Sequence, residues 1–236
     1  MIAFYTPDIS DPIAIGFEQG IIITLSPEES WHGAKVLRIK KGESIILLNG
    51  KGWVGEGRIE TVHDKHTQVI LDKVVYHKPA TNNLEIAVSV LKTNERMEWM
   101  LEKLTELGVA KISFIECNRS ERNKLNLERM HKIAVAALKQ CKRPWLPEIQ
   151  GVISFDKYIN QEFNGDKIIA FCEAKEYIKL DTQKPTIMLI GPEGDFDDTE
   201  ISLAVAKGFI PVLISKQILR TETAAMALAA VWDLGN

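Results

Sequence analysis

The chain has 236 residues, 45% of them hydrophobic, and a formal net charge of −3. That is enough apolar material for two cored domains, and too little positive charge for a protein that coats nucleic acid along its whole surface. Its three cysteines, Cys117, Cys141 and Cys172, show no C-x-x-C spacing, which excludes a disulfide framework and a cysteine zinc site and fits a reducing cytosol.

The N-terminus, Met1-Ile2-Ala3-Phe4-Tyr5-Thr6-Pro7-Asp8, has neither a basic n-region nor a long apolar stretch. No apolar run approaches the ~18 residues of a membrane span, so a soluble cytoplasmic protein is expected. Residues 1–75 read as β. Ser26-Pro27-Glu28-Glu29 predicts a helix start, with Ser26 as N-cap, Pro27 at the first helical position and Glu29 completing a capping box. That helix would display Lys35 and Arg38 before Gly42 ends it. Strands are predicted at Ser44–Leu48, Trp53–Val62 and Thr67–Leu71, separated by Asn49-Gly50-Lys51-Gly52 and His63-Asp64-Lys65-His66. Short strands with tight turns suggest a small barrel.

Residues 76–83 are polar, contain Pro79 and read as a linker. Beyond it, residues 84–236 alternate strand and helix. Strands are predicted at Leu84–Leu91, Lys111–Cys117, Lys167–Cys172, Thr186–Ile190 and Pro211–Ser215. A helix with apolar Met97, Met100, Leu101, Leu104 and Leu107 ends at Gly108; others span Leu127–Cys141, Asp197–Lys207 and Thr223–Leu234. This pattern predicts an α/β domain with a mainly parallel sheet, in which ligands sit beyond the carboxyl ends of the strands.

Charge is unevenly distributed. Residues 111–143 hold nine Lys/Arg against three Asp/Glu, whereas 173–200 hold three against eight. Lys35, Arg38, Lys40 and Lys41 form a second basic stretch, so a local polyanion-binding surface is compatible with the acidic total.

Two polar clusters follow predicted strands. Gly191-Pro192-Glu193-Gly194-Asp195 is neither a G-x-G-x-x-G fingerprint nor a P-loop. Its glycines would let the backbone approach a ligand, or serve only a tight strand-to-helix turn. Glu193 disfavours phosphate and suits hydroxyls or a positive centre. Arg220-Thr221-Glu222-Thr223 precedes a helix that is apolar nearly all round, and its threonines offer hydroxyls to a ligand or to the helix N-cap. His63 and His66 lack a third metal ligand, and no G-x-S-x-G elbow or Ser-His-Asp set can be assembled. The cysteines fall where small buried residues are expected, and no metal is expected.

Several segments occur in one order. They are Lys92-x-x-x-Arg96-Met97-Glu98, Lys103-x-x-Glu106-Leu107-Gly108-Val109, Arg119-Ser120-Glu121-Arg122, Gln140-Cys141-x-Arg143 with Pro147-Glu148-Ile149, Leu189–Gly194, and Ile218–Ala224. With Val36-Leu37-Arg38 ahead of Lys41-Gly42-Glu43, this ordered set resembles the RsmE family of SPOUT-superfamily methyltransferases, over essentially the whole chain. The resemblance implies an N-terminal PUA-like β-barrel that binds RNA and a C-terminal α/β SPOUT domain with a trefoil knot. It also implies a homodimer, S-adenosyl-L-methionine as cofactor, and methylation of N3 of one uridine in 16S ribosomal RNA of the small subunit.

Carried over by position, the cofactor residues are Leu189, Ile190, Gly191, Pro192, Glu193, Gly194, Ile214, Ser215, Leu219, Thr221, Thr223 and Ala224. Arg220 is the candidate for stabilising negative charge on the uracil carbonyls, and Glu222 for a base or orienting group. They could instead pair with each other or brace the loop. Arg38, Arg119, Arg122, Lys142 and Arg143 are the expected RNA contacts, chiefly to phosphate. This chain departs from the family in carrying Asp195 after Gly194 where Gly-Gly is usual. It also has Ser215-Lys216 in place of Gly-Pro, and Lys142 in place of Gly before Arg143. The alternatives are a non-catalytic RNA-binding ribosome-assembly protein with the same fold, and an ordinary Rossmann enzyme, which the missing Gly-rich fingerprint disfavours.

Overall fold

The computed structural model describes residues 1–7, 9, 20–81 and 83–235. Positions 8, 10–19, 82 and 236, which belong to the expected barrel domain, linker and second domain, lie outside the described residues. The chain divides into two compact units, one of Met1–Pro79 with Val135–Leu146 and one of Ala80–Ala134 with Pro147–Asn236.

The first unit holds a five-stranded sheet of β1 (Ile2–Tyr5), β2 (Ile21–Thr24), β3 (Ser44–Leu48), β4 (Trp53–Thr61) and β5 (Gln68–Tyr76), in the order β1-β3-β4-β5-β2. The β1–β3 ladder is parallel and the others are antiparallel. Among the described residues no ladder joins β2 back to β1. Phe4, Leu25, Ile45, Leu47, Ile59 and Val69 are at most 1% exposed and form the core of this unit. Strand β5 runs five residues beyond the predicted Leu71, so the sheet continues into the stretch expected to be linker.

Helix α1 (Pro27–Trp31) starts as expected, with Ser26 accepting from the Glu29 N–H at 3.2 Å. The reciprocal half of the capping box is replaced, because Lys139 Nζ lies 2.6 Å from a Glu29 carboxylate oxygen. The helix widens into a π-helical turn, His32–Leu37, and ends on Arg38 in the left-handed region at φ 54°. It therefore stops four residues before Gly42, the predicted terminator. His63 and His66 stack on each other at the β4–β5 turn, 3.5 Å between ring centroids.

Although residues 135–146, which the sequence placed in it, fall in the first unit, the second unit has the expected α/β architecture. Its six strands are β6 (Leu84–Ser89), β7 (Lys111–Glu116), β8 (Glu148–Ser154), β9 (Asp166–Ala170), β10 (Thr186–Ile190) and β11 (Ile210–Val212). They are ordered β11-β9-β10-β6-β7-β8, and every ladder is parallel. Its helices are α2 (Asn94–Glu106), the first half of α3 (Leu127–Cys141), which belongs to the first unit from Val135 on, α4 (Phe155–Ile159), α5 (Asp198–Ala206) and α6 (Thr221–Leu234). Strand β10, Thr-Ile-Met-Leu-Ile, is buried throughout because layers cover both sheet faces. One layer sets α2 and α6 against Ile86, Val88, Met188 and Ile190; the other sets α4 and α5 against Ala87, Ile169, Leu189 and Phe196. Strand β8 and helix α4 were not predicted. All but one residue of Glu-Ile-Gln-Gly-Val-Ile-Ser is half-buried, so the segment lacks the alternation that marks a strand.

Candidate functional site

Strands β11, β9 and β10 are parallel neighbours, so their carboxyl ends meet at one edge of the sheet. There, residues 170–172, 190–193, 213–215 and 217–221, with Asp195 and Ala224, line a cleft of about 250 Å³. Of the residues expected at a cofactor site, Ile190, Gly191, Pro192, Glu193, Ile214, Ser215, Leu219, Thr221 and Ala224 line it, as does Arg220. Leu189, Gly194, Glu222 and Thr223 do not. Leu189 is fully buried on the opposite sheet face, as the period of a strand requires. Phe171, Cys172 and Asp195 line the cleft although none of them was among the expected cofactor residues. Cys172 was legible in principle, since it ends a predicted strand of the parallel sheet.

The two polar clusters are bonded to each other. Thr221 is the first residue of α6 rather than a residue ahead of it, and its buried hydroxyl donates to the Gly191 carbonyl at 3.0 Å. The N-cap position is held by Arg220, whose side chain makes no capping bond. Gly191 has an internal reason to lack a side chain. A Cβ there would lie 3.1 Å from the Phe196 ring, which is itself 1% exposed beneath the loop. Gly191 thus lines the cleft and also has Phe196 as a second, internal neighbour that a side chain would crowd.

Asp195 adopts φ 60°, a conformation costly for an L-residue with a Cβ. Its carboxylate accepts from the Cys172 N–H at 3.0 Å and the Phe196 N–H at 2.8 Å, tying the loop after β9 to the loop after β10. Lys142 is likewise left-handed, at φ 58°. Of the three positions where the resembled family carries glycine and this chain does not, Asp195 and Lys142 therefore have the backbone conformation that favours glycine, whereas Ser215 does not.

Arg96, on α2, stands in one of the family-like segments but is not among the expected site residues. Its Nε and Nη2 donate to the two oxygens of Glu222 at 2.8 and 2.5 Å, and its Nη1 to Glu193 at 2.7 Å. One guanidinium so joins the start of α2, the loop after β10 and the first turn of α6. Burial pushes the Glu222 carboxyl upward, but the Arg96 hydrogen bonds, with the charges of Arg96 and Arg220, outweigh it and leave the group below the ordinary carboxylate range. Glu222 is 6% exposed and its two oxygens are occupied, so it pairs with Arg96 rather than Arg220 and is poorly suited to accept a proton at neutral pH.

The expected RNA contacts divide. Arg119 Nη1 donates to the Gly194 carbonyl at 2.8 Å, and Arg122 Nη1 to the Asn94 side chain at 2.6 Å, so both brace the second unit. Arg38 and Lys142 are exposed in the first unit, with Arg143 half-buried beside Lys142. Burial holds the Cys117 thiol above its ordinary range. Burial and the neighbouring Asp195 push Cys172 up to about 11, so neither is a nucleophile near neutrality. Among the described residues no group of three or more His, Cys, Asp or Glu could hold a metal, and no helix is long and apolar enough to cross a membrane.

The cleft offers an apolar wall of Ile190, Leu213, Ile214 and Leu219, two carboxylates at Glu193 and Asp195, and the hydroxyl of Ser215. That donor set suits a flat heterocycle carrying hydroxyls and a cationic group better than it suits a phosphate.

Residues 78–233 match the family described as an RNA methyltransferase domain, and residues 25–72 the family described as an RNA methyltransferase PUA domain. The chain is 32% identical over 201 residues to the ribosomal RNA small subunit methyltransferase E of Mesomycoplasma hyopneumoniae, covering 82% of this chain and 86% of that protein. It is 29% identical over 220 residues to the Synechocystis protein of the same name, covering 89% of this chain and 72% of that one. A Legionella pneumophila protein solved in complex with bound cofactor SAM matches with TM-score 0.85 at 30% identity, over 99% of this chain and 97% of the other.

Proposed function

The chain belongs to the RNA methyltransferase family that includes the ribosomal RNA small subunit methyltransferase E proteins, and from that premise we propose that it methylates N3 of a specific uridine in 16S ribosomal RNA, using S-adenosyl-L-methionine. The observation that carries this reading is the cleft at three parallel strand ends, one wall of which is fastened by the Thr221–Gly191 hydrogen bond.

The residues present fit that cofactor. Leu219, Ile214 and Ile190 supply an apolar slot for adenine, while Glu193, Asp195 and Ser215 supply partners for ribose hydroxyls and a positive centre. When bound, the cofactor supplies an electrophilic methyl group on a good leaving group, so no covalent enzyme intermediate is needed. The protein's task is to orient the uracil and stabilise the anion left when N3 gives up its proton to solvent. Arg220 lines the cleft, is exposed and is free of capping duty, which suits it to the negative charge that develops on the uracil carbonyls. Glu222 acts as an orienting group: through Arg96 it fixes the turn that presents Arg220.

Phosphate contact falls chiefly to Arg38, Lys142 and Arg143, with Arg119 and Arg122 doubling as braces. The homodimer belongs to the same reading and is supported by exposed apolar residues on α6, Val231 at 57% and Leu234 at 87%. So do the trefoil knot, the PUA-like barrel over residues 1–75 and a cytoplasmic site of action on the small subunit.

Mass spectrometry of ribosomal RNA from cells lacking this protein tests the reading, with loss of one N3-methyluridine expected. An unchanged nucleoside profile would overturn it. Calorimetric titration with S-adenosylmethionine separates it from a non-catalytic assembly protein, which would show no binding.

A further inference from the structure

The first unit carries a constructed aromatic cluster that the reading above does not use. Gly52, at φ 92°, sits at its centre: a Cβ there would lie 2.6 Å from the Trp145 ring, 2.7 Å from the His77 carbonyl and 2.8 Å from the Tyr76 ring. Only glycine admits all three. Tyr76 lies 4.8 Å from Trp53 and 6.2 Å from Trp145, ring centroid to ring centroid. The Trp145 indole N–H donates to the His77 carbonyl at 2.9 Å, which satisfies the one polar group of that side chain and fixes its ring plane. Backbone bonds from Gly52 N–H to Pro144 and from Leu146 N–H to Gly50 lock the segments together.

This cluster is not closed over. Tyr76 is 43% exposed, and Trp53 and Trp145 are only half-buried. The three segments that build the cluster carry one sign of charge. Segments 49–53, 76–79 and 142–147 contain Lys51, Lys78, Lys142 and Arg143 and no Asp or Glu, in a chain whose total charge is −3. Lys51, Lys78 and Lys142 are exposed, and none of them joins an ion pair among the described residues. Rigid, partly exposed rings framed by unneutralised lysines match a ligand that has flat π-faces strung on an anionic backbone.

We infer that the Trp53–Tyr76–Trp145 cluster is a base-stacking site for single-stranded RNA, with Lys51, Lys78 and Lys142 on the flanking phosphates. The inference rests on the reading of RNA as the substrate. It adds a place, within the first unit alone, where unpaired nucleotides are held by ring faces rather than by charge only.

The test uses the full chain and fluorescence anisotropy with two probes: a labelled single-stranded RNA of about ten nucleotides, and an abasic ribose-phosphate strand of the same length. Tyr76→Leu keeps apolar bulk but removes the π-face. It should weaken the base-bearing probe roughly tenfold, leave the abasic probe unchanged and leave the melting temperature unchanged. Tyr76→Phe should restore near-native affinity, whereas Lys142→Gln should weaken both probes and flatten the salt dependence. Equal losses on both probes, or no loss with Tyr76→Leu, would overturn the stacking site and leave the cluster a brace between turn 49–53 and segment 144–146. A protein partner would show itself by the second outcome. Failure of the methyltransferase reading is read separately, from titration of the wild-type chain with S-adenosylmethionine, which none of these substitutions touches.

Discussion

The two walls of the cleft are held in opposite ways. On one side, loop 191–196 and the first turn of α6 are fastened by the Thr221 hydroxyl, by Arg96 on both Glu193 and Glu222, by Arg119 on Gly194, and by Asp195 on Cys172. Gly191, Pro192, Phe196, Thr221 and Glu222 are all buried. On the other side, Lys216, Gln217 and Ile218 are exposed, Ile218 at 87%, and the side-chain bond in this stretch is the local turn from Gln217 N–H to the Ser215 hydroxyl. A wall whose polar groups are satisfied from within has its shape set by folding. A wall that leaves an isoleucine in water has apolar surface free for whatever enters the cleft.

The strongest way to break this contrast is to remove Arg96. Arg96→Ala leaves the Glu222 carboxylate buried without its partner, and stability in urea should fall by about 3 kcal/mol. The pH dependence should change sign as well. In the native chain the Glu222 carboxyl sits below its ordinary value of 4.5, so its contribution is full above that pH and is lost as pH falls through the lower folded value. Without Arg96, burial dominates and raises the folded value, so the carboxyl then costs stability as pH rises. Denaturation curves at several pH values from 3 to 7 check this, and an unchanged slope would mean that Arg96 is not the partner that matters.

Smaller effects should follow from the other fasteners on the same wall. Thr221→Val preserves shape but strips the buried Gly191 carbonyl of its donor, which should cost about 1–2 kcal/mol and weaken S-adenosylmethionine binding in calorimetry. Asp195 sharpens the comparison because it both strains and ties the loop. Asp195→Ala keeps the positive φ and loses both bonds, whereas Asp195→Gly loses the bonds but relieves the backbone. The glycine variant should therefore be the more stable of the two by about 1 kcal/mol in thermal unfolding. Equal melting temperatures would remove backbone strain from the account.

Much of this wall was legible in the sequence, but not the reasons for it. The strand β10, the helix α6 and the two polar clusters between them announce themselves through local pattern. Arg96 does not, because its partner Glu222 is 126 residues away and nothing local links them. Gly191 lines the cleft as expected, but its second neighbour, Phe196, five residues on, has no local signal in the sequence. Thr221 was read as lying ahead of a helix, although it is the first residue within it and spends its hydroxyl on the neighbouring loop. Arg38 ended a helix that Gly42 was expected to end, because sequence favours glycine for a left-handed residue while the π-helical turn had already used up the chain. The same rule applied in reverse: glycine-favouring positions filled by Asp195 and Lys142 kept the glycine conformation, and at Asp195 two side-chain bonds offset the cost.

The smallest expected effect is the one that tests the open wall. Ile218 is 87% exposed, so Ile218→Ser removes almost no buried apolar surface, and stability should shift by less than about 0.5 kcal/mol. If the exposed side chain contributes only when the cleft is filled, the same substitution should raise the dissociation constant for S-adenosylmethionine, or for RNA, while the melting temperature of the unliganded chain stays put. The two measurements separate the walls. Thr221→Val should move stability and binding together, because that wall is part of the fold, whereas Ile218→Ser should move binding alone. A loss of stability at Ile218 comparable to that at Thr221 would mean that both walls are set by folding, and the contrast between them would fail.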